Sequence, residues 1–240
     1  MGVTAMHIPD GLLNFSTAFG ALSASVFYGY IAHKKLKIAS RESSTQNTKY
    51  AHFNFTPEME NLENPNDWPL PLLASTAGFL FAAQMLNFPV LVGTSGHFLG
   101  SGFATALFGP YLSFFLLSIV LFIQALFFAD GGLIALGANL LCMGIVAPWS
   151  FILGRFLFRS LFAGALLSVV MASLTICLML DWSGVLPFMS TAPLMLGIHS
   201  LIGVGEGFIT VSALNFLKRT QVQRHLGLQS QIEKKGQLSE

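Results

Sequence analysis

The stretch "PVLVGTSGHFLGSGFATALF", residues 89–108, decides how the chain is read. It is apolar enough to enter a bilayer, but GTSGH interrupts it near its start, whereas an unbroken membrane helix needs about 20 apolar residues. The reading it supports is a short helix preceded by a re-entrant loop. Its glycines permit tight turns and close approach, and Thr94 and Ser95 can satisfy the backbone groups that a broken helix exposes. The rest of the composition fits only a membrane protein: 53% of residues are hydrophobic and 10% charged, against about 25% charged in soluble domains. Mean hydropathy is +0.67. The expected fold is an all-α, polytopic membrane helix bundle.

Six further apolar stretches, 12–32, 70–86, 111–129, 136–157, 160–180 and 193–217, are each long enough to span. Counting 89–108 as a span brings the total to about seven transmembrane helices, and the basic residues test that count through the positive-inside rule. Lys34, Lys35, Lys37, Arg41 and Lys49 follow the first span, Arg155 and Arg159 stand between two later ones, and Lys218, Arg219, Arg224, Lys234 and Lys235 follow the last; these are all 12 Lys and Arg. With seven spans every one falls on the same side; with six the later clusters change sides. The N-terminus is therefore expected outside and the C-terminus in the cytoplasm of a multi-pass membrane protein. Residues 1–240 form one transmembrane domain, with a polar cytoplasmic loop at 34–68, read as flexible for want of apolar periodicity, and a cytoplasmic tail at 218–240. A net charge of +1 gives no case for nucleic acid. Cys142 and Cys177 lie in apolar runs without CxxC spacing and read as ordinary buried residues.

That topology gathers the polar chemistry opposite the positive charge: His7 and Asp10, then 87–97, then Asp130, then Asp181. Such an asymmetry suits capture of a cation from outside, although outward loops are polar in any case. "MHIPDG", residues 6–11, has two readings. It is either an interfacial turn with an incidental histidine or, if Met6 carries the free amine, a chelator. In the second case the Met6 amine, the His7 peptide nitrogen and the His7 imidazole close two rings around one metal, a set that Ni(II) and Cu(II) accept well. Pro9 restricts Ile8 to an extended shape and Asp-Gly favours a turn, so the tip can fold back toward the bundle. The chelate requires Met6 to be first in the mature chain, by initiation there or by processing; with Met1 retained it cannot form.

His97 is delivered by the Gly-rich stretch near membrane depth, where an ionisable side chain is either satisfied by a neighbouring carbonyl or functional. As a ligand it supplies a fourth nitrogen. In "FFADGGLIALGAN", residues 127–139, Asp130 is expected to cap the following helix, and Asn139 lies within the span. Gln84 and Gln124 read as interhelical hydrogen-bond formers. "HSLIGVGEGFIT", residues 199–210, puts His199 and Glu206 on one helical face. Glu206 either pairs with a helix terminus or polar side chain, or serves transport, because burying it charged and alone costs several kcal/mol.

"MHIPDGLL", "AAQMLNFPVLVGTSGHFLG", "QALFFADGGLIALGANLLCMG" and "HSLIGVGEGFIT" together resemble, in order, the signature blocks of the CbiM/NikM family. These are the substrate-capture membrane subunits of energy-coupling factor (ECF) type ABC transporters for cobalt and nickel. The resemblance implies a seven-helix bundle whose inserted N-terminal Met-His pair binds the metal with the GTSGH histidine: here Met6, His7 and His97, with Ni²⁺ or Co²⁺ as bound substrate. It also implies ECF ATPase subunits, a coupling transmembrane subunit and, in some systems, a small accessory membrane subunit as partners in the bilayer. "PDG" after the histidine resembles the nickel-type subunits somewhat more than the cobalt-type. Loop 34–68 is longer than the family's usual connection.

No catalytic role or catalytic cofactor is expected. The chain has no GxxxxGK[ST] loop, which leaves ATP hydrolysis to partners, and no HExxH. Because the nitrogen ligands must shed or withhold protons, binding is expected to weaken in acid. The alternative is a stand-alone proton-coupled carrier or channel using His199 and Glu206.

Overall fold

The computed structural model describes residues 8–45, 70–85, 87–91 and 94–237. Its helices are α1 (Phe15–Thr45), α2 (Leu70–Gln84), α3 (Ser101–Phe127), α4 (Leu136–Leu140), α5 (Ala147–Phe158), α6 (Leu161–Trp182) and α7 (Phe188–Gln237). A π-helical turn, Leu141–Val146, joins α4 to α5 without interruption. Pro148 explains its place: a proline has no N–H to give the carbonyl four residues earlier and crowds it, and widening the preceding turn relieves both problems. Five helical stretches are long and apolar enough to cross a membrane, and α2 is a shorter apolar helix. Large side chains such as Phe19, Phe27, Phe156, Phe208 and Phe216 are exposed, as lipid-facing side chains are.

The stretch 87–108 behaves as the interruption at GTSGH implies. Strands β1 (Asn87–Leu91) and β2 (Thr94–His97) form an antiparallel hairpin with Asn87 opposite His97. The chain then enters α3, whose first turns from Ser101 to Phe108 are buried throughout. Gly109, at φ 73° and ψ 172°, breaks α3 in a conformation that only glycine adopts readily, and Pro110 follows it. The hydroxyls of Thr105 and Ser113 lie 3.3 Å apart across the break. Eight residues of straight helix would separate them by about 12 Å, so the two halves of α3 fold back on each other. The first half is a short pass of its own.

Contacts at the two ends of the bundle place the remaining passes. At one end Asn14 donates to the Trp182 carbonyl, Ser183 to the Thr17 hydroxyl and Gly132 N–H to the Ile8 carbonyl, while Phe81 and Phe128 meet edge to face. Toward the other, Trp149 donates to the Tyr28 hydroxyl at 3.0 Å, and Tyr28 also reaches the Pro110 carbonyl. The chain thus shuttles between an end bearing Asp10, Asp130 and Asp181 and an end bearing Lys34, Arg155, Arg159 and Lys218. Seven passes result, the third a short one entered through a hairpin.

The helices pack through small residues, since lipid supplies no hydrophobic drive between them. A Cβ on Gly164 would stand 2.8 Å from the Phe151 carbonyl, and one on Gly203 2.8 Å from Leu166. Two expectations change. The loop read from residue 34 is helical as far as Thr45, and the tail from 218 is helical to Gln237. Both continue a membrane helix, so no new nucleus is needed, and Lys, Leu, Ala, Arg, Glu and Gln are adequate helix formers without any apolar stripe.

Candidate functional site

Met6 and His7 lie outside the described residues, which begin at Ile8, and Ile8 is already fixed. Its side chain is buried in the same apolar cluster as Ala21, Leu99, Ala138, Cys142 and Met179. Its N–H donates to Asn139 Oδ1 at 3.0 Å, and its carbonyl accepts from Asn139 Nδ2 at 3.3 Å and from Gly132 N–H at 3.0 Å. Two residues on, Asp10 Oδ1 accepts from the N–H groups of Ile134 and Ala135. The segment following His7 is therefore folded back into the bundle and held by the Gly-rich entry to α4.

Asp10 serves the entrance of α4, near which Asp130 also lies. Ala135, the residue before α4, has no side chain that could cap it; an acid serving the N–H groups of Ile134 and Ala135 arrives from the N-terminal segment. It adds a negative charge where the helix dipole favours one. Asn139 was visible in the sequence only as a polar residue within a span. Its partner is 131 positions away, and no local pattern announces it.

His97, at the end of β2, is 6% exposed. Its Nδ1 lies 2.9 Å from the Phe98 carbonyl. A carbonyl can only accept, so Nδ1 carries a proton here, and in the neutral ring the lone pair is then on Nε2, the arrangement of a histidine that presents Nε2 to a metal. Beyond it the backbone is held from several sides. Glu206 Oε1 accepts from the N–H groups of Leu99 and Gly100, Gln84 Nε2 donates to the Leu99 carbonyl at 2.7 Å, and Ser101 Oγ donates to the Met143 carbonyl at 2.8 Å. Gly100, at φ 71°, stands where a Cβ would run into Leu80 and Phe98.

One oxygen of Glu206, Oε1, pairs with the N–H groups leading into α3, at the positive end of that helix; the other, Oε2, is buried with no hydrogen-bond partner among the described residues. His199, also buried, bonds through Nδ1 to the Met195 carbonyl one turn earlier on α7. Gln84, expected to bond between helices, reaches instead the Leu99 carbonyl in the link before α3. Gln124 makes no such bond either: its buried carboxamide has no hydrogen-bond partner among the described residues. Among those residues no group of three or more His, Cys, Asp or Glu converges as a metal site. Cys142 and Cys177 are buried and in no disulfide, as expected, and the Cys142 thiol donates to the Met179 sulfur.

A bundle with apolar outer faces, a hairpin leading into a short buried pass and an N-terminal segment folded back into the bundle define a multi-pass membrane protein. The family model CbiM, described as the cobalt uptake substrate-specific transmembrane region, matches residues 7–224. The chain belongs to this CbiM family. It is similar to a fused nickel transport protein NikMN of Rhodobacter capsulatus, at 36% identity over 143 residues, covering 60% of this chain and 34% of that one. A protein of Archaeoglobus fulgidus, provisionally named as a fused nickel transport protein NikMN, is 32% identical over 228 residues, covering 88% of this chain and 65% of that one. The chain thus spans two thirds or less of these relatives. A solved structure described as a truncated transition metal transporter superposes with a TM-score of 0.70 at 26% identity, covering 90% of this chain and 99% of that one.

Proposed function

We propose that the chain is the substrate-capture subunit of an ECF-type transporter for Ni²⁺ or Co²⁺. In this reading the ion is taken from the outer side and bound by the Met6 amine, the His7 amide and imidazole nitrogens, and His97. The observation that carries it is the docking of Ile8. Asn139 and Gly132 hold the residue after His7 in the buried cluster that contains Leu99, two residues beyond His97. His97, for its part, is held in the tautomer that presents Nε2. In support of this reading, the residue that follows His7 and the His97 ring are each held by protein hydrogen bonds, as groups next to metal ligands characteristically are.

ATPase subunits and a coupling membrane subunit supply the energy, since the chain carries no phosphate-binding loop. In the proton-coupled carrier alternative, His199 and Glu206 would carry the ion path; His199 Nδ1 and Glu206 Oε1 are bonded to backbone groups, while Glu206 Oε2 has no partner among the described residues. The test is intact mass, N-terminal analysis and metal content on one purified sample, followed by titration of His97→Ala. The expected result is a chain beginning at Met6 with one equivalent of Ni or Co, and a loss of affinity of at least about tenfold on removing His97. Undiminished binding by a chain that keeps Met1 would overturn the terminal-amine chelate. A competition of Ni²⁺ against Co²⁺ on the same sample reads the preference, expected on the nickel side from the resemblance of "PDG".

A further inference from the structure

The bonds around His97 pass through one planar unit. The Phe98 carbonyl that holds His97 Nδ1 and the Leu99 N–H that Glu206 accepts are the two ends of a single peptide group, Phe98–Leu99. The next peptide is held in the same manner, with Gly100 N–H on Glu206 Oε1 at 2.8 Å and the Leu99 carbonyl on Gln84 Nε2 at 2.7 Å. Because a peptide is rigid about its C–N bond, fixing the N–H end fixes the direction of the carbonyl, and the carbonyl orients the imidazole. Glu206 is 1% exposed and belongs to α7, a different element from the hairpin that bears the histidine.

We propose that Glu206 is the positioning residue for His97, acting through the Phe98–Leu99 peptide. Its carboxylate sets the angle at which Nε2 faces the substrate metal and ties that angle to α7. The inference rests on His97 being a ligand. It extends to a peptide-bridged arrangement the rule that a metal-bound histidine takes its orientation from a carboxylate or carbonyl on its other nitrogen. Hydrogen bonds in series also polarise one another, so the same path makes Nε2 a better donor.

Ni²⁺ and Co²⁺ titrations of the full chain in detergent, with the visible ligand-field spectrum of the loaded protein, test this on Glu206→Gln, Glu206→Leu, Gln84→Met and His97→Ala. A glutamine carbonyl oxygen can still accept both N–H groups. Glu206→Gln should therefore keep the spectrum and weaken binding by no more than about threefold, while Glu206→Leu should shift the bands and weaken binding by about 10–100-fold, the usual cost of losing an outer-shell partner. Gln84→Met frees the Leu99 carbonyl without touching a charge; it should give a smaller loss with a shift in the same direction, and it decides the matter if Glu206→Leu does not fold. An unchanged spectrum and affinity in Glu206→Leu or Gln84→Met, or equal losses in Glu206→Gln and Glu206→Leu, would overturn the proposal. Undiminished binding by His97→Ala would instead show the ligand assignment to be wrong, a failure separable from that of the clamp.

Discussion

The Asn139 carboxamide meets the Ile8 peptide groups with both of its polar ends, accepting from the N–H and donating to the carbonyl. The carbonyl has a second donor in Gly132 N–H, but Asn139 is the partner shown for the N–H. Asn139→Leu keeps the volume roughly constant and leaves that N–H in an apolar cluster. Stranding one buried donor costs about 1–3 kcal/mol, and the segment can escape the cost by leaving the bundle. The variant is therefore expected to melt earlier in detergent, to lose N-terminal residues faster in limited proteolysis, and to bind metal more weakly, although Asn139 is not itself a proposed ligand. A melting temperature and proteolysis rate equal to those of the unaltered protein would show that other contacts dock the segment. By contrast, Asp10 serves N–H groups at a helix entrance, where solvent can replace it, so its loss should matter less to the site.

Gly109 holds the two halves of α3 in their folded-back relation, because its φ of 73° with ψ of 172° lies where a side chain is strained. Gly109→Ala should cost about 1–3 kcal/mol and push the chain toward a straighter helix that parts Thr105 from Ser113. The expected outcome is a lower melting temperature with loss of metal binding, since the short half carries the His97 hairpin at its head. Retention of both would mean that the turn is held by packing alone. This element was legible in the sequence: "GTSGH" interrupts one apolar run, and Gly109-Pro110 separates it from the next. The helical extensions to Thr45 and Gln237 were not legible, because a helix propagating from a membrane span needs no amphipathic pattern of its own. The candidate site was legible by type and hidden by partner. His97 and Glu206 stood out as ionisable groups within apolar runs, but Glu206 meets residues 106 and 107 positions away, and only the folded bundle brings them together. Asp10 reaches the N–H groups of Ile134 and Ala135 from 124 and 125 positions away, a contact no local pattern marks.

At the scale of the whole molecule, the seven passes put Asp10, Asp130 and Asp181 at one end and every basic cluster among the described residues at the other. The odd number depends on the third pass being real, although it is too short to span by itself. Charge then fixes the orientation: basic residues near span ends are retained on the cytoplasmic side, so the end with Arg155, Arg159, Lys218 and Arg219 should face inward. Cysteine labelling reads this directly. The native Cys142 and Cys177 are 1% and 0% exposed and should stay silent toward a membrane-impermeant maleimide. Val185, between α6 and α7, and Arg219, beyond the apolar part of α7, are both exposed and stand at opposite ends. In intact cells Val185→Cys should be labelled and Arg219→Cys should not; after permeabilisation both should be. Labelling of both in intact cells would mean an even number of passes in α7 and the segments around it. The reversed pattern would keep the bundle but turn it over, and the N-terminal segment with its proposed ligands would then face the cytoplasm, where a subunit for uptake could not capture its ion.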